Sequence, residues 1–188
     1  MKILLIILGV LVALGLFVGG KAASVNNLLV AEREAYTKAW ADVDIALQRR
    51  ADLIPNLVST VKGFAAQEKD IMEAVANARS SLLSARNPQE KIEANGRLDS
   101  AIGRLLVVVE NYPNLKSSEN FLRLQDELAG TENRIAVERR KYNEAVQKFN
   151  TTIGLFPNNL LAGMLGFQRN DAYFKTDPGS RTAPAVKF

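Results

Sequence analysis

The chain has 188 residues, 24 basic and 20 acidic side chains, a net charge of +4, and neither Cys nor His. Disulfides, thiolate nucleophiles, the usual zinc sites and any imidazole-based triad are excluded by composition alone. The charges are interspersed rather than gathered into a basic stripe, which argues against nucleic acid as a partner.

The first stretch, MKILLIILGVLVALGLFVGGK, is uncharged from Ile3 to Gly20. As a helix it reaches about 27 Å, close to the thickness of a hydrocarbon core. Lys2 and Lys21 bracket it and suit the two interfaces. A cleaved signal peptide is the rival reading, with Ala22 or Ala23 at the cleavage region, but length and flanks favour a retained anchor. The lipid bilayer is therefore an expected partner through residues 3–20. Residues 1–23 are read as anchor and hinge, because Gly19 and Gly20 lower helix propensity, with a rigid rod that continues the membrane helix weighed equally. No second apolar span follows, so the expected protein is single-pass. Lys21, Arg33 and Lys38 outnumber Lys2 across the span, which leans toward a cytoplasmic soluble part.

From there the apolar spacing is helical throughout, and residues 24–153 read as one helical body. A helix over about 24–50 carries Val25, Leu29, Tyr36, Trp40, Val43 and Leu47 on one seam. RRADLIPNLV, residues 49–58, reads as a corner: Arg49 and Arg50 finish one helix, Asp52 caps the next, and Pro55 falls in a tolerant first turn. Arg49, Arg50 and Asp52 are candidate docking residues at that exposed end.

A second helix over about 52–85 carries Ile54, Leu57, Val61, Phe64, Ile71, Val75 and Leu82. The third, about 88–111, opens on Asn87, Pro88 and Glu90, a capping box, and stops before Pro113. The fourth, about 118–152, is capped by Ser117 or Ser118 and has Phe121, Leu124, Leu128, Ile135, Tyr142, Val146 and Phe149 as its seam. Four long amphipathic helices with short links predict an all-α fold: an N-terminal transmembrane helix followed by an antiparallel, up-and-down four-helix bundle.

Residues 154–188 differ. LFPNNLLAGMLGF is apolar but too short to span a membrane, so Leu160, Leu161, Met164, Leu165 and Phe167 are candidate lipid contacts or a cap on the bundle end. The closing DPGSRTAPAVKF reads as extended.

Several polar residues interrupt the seams: Glu68, Asn95, Glu132 and Arg139. A carboxylate-bridged metal site in a bundle needs Glu-x-x-His pairs, and without His none is expected, nor any other cofactor. The better account is an ionic layer that fixes register.

The run AWADVDIALQRRADLIPNLVSTVKGFAAQE resembles the signature of the LemA family of bacterial membrane-anchored proteins. The resemblance continues through YPNLKSSENFLRLQDELAGTENRIAVERRKYNEAVQKFN, FPNNLLAGMLGF and a terminal PAVKF. It departs at Gln67, where many relatives carry His before the Glu at position 68. It implies an N-terminal transmembrane helix, an antiparallel bundle and the bacterial cell membrane, and no settled catalytic mechanism. The expected role is a non-enzymatic scaffold or adaptor, with unknown protein partners or as a homo-oligomer. Its rivals are a lipid-contacting, membrane-remodelling bundle and a small-ligand carrier built on the polar layer.

Overall fold

The computed structural model describes residues 2–175, and among them every regular element is helical. In chain order these are α1 (Lys2–Phe64), α2 (Lys69–Ser84), α3 (Pro88–Val109), α4 (Pro113–Lys116), α5 (Glu119–Gly154) and α6 (Asn158–Met164). The closing DPGSRTAPAVKF lies outside the described residues.

The expected corner in α1 is absent, and of the hinge and the continuous rod left open at Gly19 and Gly20 the helix follows the rod. Neither the glycine pair at 19–20 nor the stretch 49–58 interrupts the helix, and Pro55 lies inside it. The reason is a seam that runs straight through. Positions 25, 29, 32, 36, 40, 43, 47, 50, 54, 57 and 61 step by three or four residues, so one face of one helix carries them all. Pro55 removes the N–H that would bond the Ala51 carbonyl. Arg79 of α2 supplies the missing donor, its Nε lying 2.8 Å from the Ala51 oxygen. Asp52 caps nothing; its carboxylate accepts from Gln48 Nε2 at 2.9 Å along the same helix.

The first corner falls instead at residues 65–68, so the helix expected over 52–85 is divided between α1 and α2. The turn closes with the Glu68 N–H on the Ala65 carbonyl at 3.1 Å. Tyr112, in the turn after α3, pins it: its hydroxyl donates to Glu68 Oε1 at 2.8 Å and accepts from Gln67 Nε2 at 2.7 Å. The break resets the seam, leaving Phe64 exposed and burying Met72 in place of Ile71.

The later boundaries follow their caps. Asn87 Oδ1 accepts the Glu90 N–H at 2.9 Å, and the Glu90 carboxylate reaches back to the Arg86 N–H at 2.8 Å. Pro113 opens the short α4. Ser118, rather than Ser117, caps α5, taking the Phe121 N–H at 3.3 Å. All seven expected seam residues of α5, from Phe121 to Phe149, are buried.

The described residues fall into two compact units, one within Met1–Ala39 and Tyr142–Asp171, the other within Trp40–Lys141 and Ala172–Phe188. In the first, Val25 and Leu29 of α1, Phe149 and Ile153 of α5 and Ala162 of α6 form the core, with Tyr36, Leu161 and Phe167 packed against it. Tyr36 meets Phe149 edge-on at 5.0 Å, and Arg33 lies over the Phe167 ring at 5.5 Å. The apolar residues from Ile3 to Val18 are exposed. In the second unit Trp40 is half-buried and stacks on Phe174 at 6.0 Å, a ring that also receives the Arg139 guanidinium at 5.0 Å. Residues 167–175 after α6 are therefore held in part by side-chain stacking, without regular secondary structure.

Candidate functional site

The second unit contains a layer of charge drawn from three helices. Arg50 of α1 is only 6% exposed and pairs with Asp99 of α3 and, at 2.7 Å, with Glu132 of α5. Arg139 of α5 approaches the same two carboxylates, 3.7 Å from Asp99 and 3.9 Å from Glu132. Asn95 donates to Asp99 Oδ2 at 2.9 Å. Two guanidinium groups thus face two carboxylates, and the layer is neutral. Burying such groups costs desolvation free energy that only good mutual geometry offsets. Its physical effect is registry: slide α3 or α5 by one turn, and Arg50 loses its partners. A second cross-helix pair, Lys91 with Asp44, ties α3 to α1 in the same way.

The expected polar residues are therefore distributed differently. Asn95, Glu132 and Arg139 meet in one layer; Glu68 takes no part in it, being held at the corner by Tyr112. Gln67, the departure from the family pattern, also serves that corner. The hydrogen bond to Glu68 holds the Tyr112 hydroxyl above its ordinary pKa. Arg50, expected at an exposed helix end, is buried among its partners, whereas Arg49 and Asp52 stay exposed. Asp99 and Arg79 escaped the sequence reading. Arg79 had a signal, sitting four residues after Val75 and three before Leu82, on the buried face of α2.

Beside the layer, on the outer side of α1 and α5, lies a half-open groove of about 750 Å³. Asp42, Arg49, Glu127 and Arg134 supply its charge; Ile45, Ala46 and Leu53 supply an apolar floor. Nothing in it is arranged as a nucleophile with a base. Among the described residues no three acidic side chains converge closely enough to hold a metal ion.

The chain matches the LemA family model over residues 39–188. It belongs to the LemA family. That match takes in the Arg50 layer, the Tyr112 corner, the groove and α6, and begins beyond the apolar part of α1. LemA-related bacterial proteins of similar sequence include magnetosome protein MamQ 2 of Paramagnetospirillum magneticum, 28% identical over 182 residues, covering 83% of this chain and 66% of the relative. Magnetosome protein MamQ of Magnetospirillum gryphiswaldense is 25% identical over the same length and coverage. Protein LemA of Metamycoplasma hominis is 26% identical over 141 residues, covering 74% of this chain and 64% of the relative. The chain thus spans about two thirds of the length of the curated relatives it matches. As a LemA-family protein it carries, in α1, one helix long and apolar enough near the N-terminus to cross a membrane.

Proposed function

We propose that this LemA-family chain is a single-pass, membrane-anchored helical bundle that serves as a non-enzymatic scaffold for other proteins at the bacterial cell membrane. The observation that carries the reading is α1 itself. One uninterrupted helix holds both the exposed apolar stretch from Ile3 to Val18 and the buried Arg50 at the charge layer. A membrane tether and a body of fixed register suit a protein that presents a surface. α2, α3 and α5, with the soluble part of α1, are joined by short links, which favours an up-and-down antiparallel bundle. Each charge of the layer has an opposite charge within 4 Å, which suits a structural role better than substrate chemistry. The docking surface is the groove edged by Arg49 and Arg134.

The test places a photo-crosslinking side chain at Leu53 in the full-length, membrane-inserted protein. A discrete adduct is expected, lost when Arg49 and Arg134 are both changed to Glu; an adduct of two identical chains would make the partner a second copy. Crosslinking no more specific than that from the exposed Glu34 contradicts the scaffold reading.

A further inference from the structure

We propose that α6 and the turn before it dip into the same bilayer that α1 crosses, giving the first unit a second, interfacial hold on lipid. The proposal rests on the anchoring reading of α1 and adds a separate contact to it.

The apolar residues of this region split into two sets. Leu161, Ala162 and Phe167 turn inward onto the cluster of Val25, Leu29, Phe149 and Ile153. Leu155, Phe156, Leu160, Met164 and Leu165 stay outside, Phe156 at 80% and Met164 at 84% exposure. Five large apolar side chains left together on a short segment form the kind of patch that marks an interaction surface. Their presentation is built rather than incidental. α6 ends in a Schellman arrangement: Gly166 takes a positive φ of 78°, and the Phe167 N–H reaches the Ala162 carbonyl at 2.9 Å. That reversal returns Phe167 to the core and leaves Met164 and Leu165 facing out. Further on, the Asn150 side chain brackets the Asn170 backbone, donating to its carbonyl at 2.7 Å and accepting its N–H at 2.9 Å.

Position and charge point to lipid as the occupant. α6 packs on Val25 and Leu29, which follow Gly20 by only about 8 and 14 Å along the helix axis. The headgroup zone of each leaflet is roughly 5–8 Å deep, so the Val25 end of that seat lies at its outer edge and the Leu29 end about 6 Å beyond. The stretches that carry the patch and its seat hold no acid, the nearest in sequence being Glu32, Glu144 and Asp171. Residues 1–31 and 145–170 contain no acid, and the latter carry Lys148 and Arg169. Glu32, the first acid after the span, is buried and lies 3.6 Å from Lys148.

Because the chain has no Cys, a single introduced cysteine can carry an environment-sensitive fluorophore at one known place. The full chain is reconstituted into vesicles of phosphatidylethanolamine and phosphatidylglycerol with brominated acyl chains, labelled in turn at Val12→Cys, Met164→Cys and Glu34→Cys. The expected result is strong quenching at 12, clear quenching with a blue shift at 164, and neither at 34. Changing Leu160 and Leu165 to Asp should remove the quenching at 164 and leave that at 12. Quenching at 12 with none at 164 overturns the α6 contact alone, and a blue shift at 164 without quenching would mean that protein covers the patch. Absence of quenching at 12 overturns the anchoring reading instead.

Discussion

Arg50 is the residue on which most of the second unit's polar order depends, because it answers Asp99 and Glu132 from a site closed to water. Removing one partner of a buried ion pair costs about 3–5 kcal/mol. Here the carboxylates keep 34% and 42% exposure, so water recovers part of that loss. Arg50→Met should therefore lower unfolding free energy by about 2–3 kcal/mol in urea titration, while the neighbouring Arg49→Met changes it by no more than about 0.5 kcal/mol. Arg79 offers a sharper test. Its bond to the Ala51 carbonyl is needed only because Pro55 has no N–H. Arg79→Met should cost about 1–3 kcal/mol by stranding that carbonyl. In a Pro55→Ala background the cost should shrink, since the backbone at that position then supplies its own N–H; equal costs in both backgrounds would contradict the coupling. Tyr112 adds a pH signature. Its hydroxyl is held protonated above the ordinary value of 10.0, chiefly by the Glu68 hydrogen bond. A raised folded pKa means stability present below that value and lost as pH rises through the folded one. Unfolding profiles should fall above about pH 10, and Tyr112→Phe should remove part of the fall. Tyr36, raised by burial, accounts for another part.

At the scale of elements, the continuity of α1 is the main departure from the sequence reading, and its cause is instructive. The spacing of Val43, Leu47, Ile54, Leu57 and Val61 already described one uninterrupted face, with Arg50 in register on it. A proline and a capping residue outweighed that signal, because the compensating donor, Arg79, sits on another helix and is invisible to local spacing. The 65–68 break was hidden for the converse reason: no Pro or Asn marks it, and it is fixed by Tyr112 from far along the chain. Boundaries set by local chemistry were legible, as at Asn87 and Ser118. Hydrogen exchange distinguishes the two accounts. Amides from 47 to 61 should be protected as one stretch, Pro55 aside, and those of 66–68 should exchange faster; rapid exchange at 50–53 would restore the corner.

For the whole molecule, the helical character of the described residues, with one apolar N-terminal helix, was readable from the sequence, because periodicity and length carry that information directly. The groove was not readable, since it depends on which outer faces of α1 and α5 the buried layer brings side by side. Nor was the split of the α6 region into inward and outward residues, which turns on the reversal at Gly166. The central claim is that residues 3–20 are kept and hold the protein in a bilayer. Alkaline extraction of membranes from cells expressing the full chain, with peptide mass analysis of the pellet, tests it most directly. The chain should remain in the pellet with its N-terminal apolar segment intact, and Leu11→Arg with Leu14→Arg should release it. A soluble protein that begins near Ala23 would contradict the account.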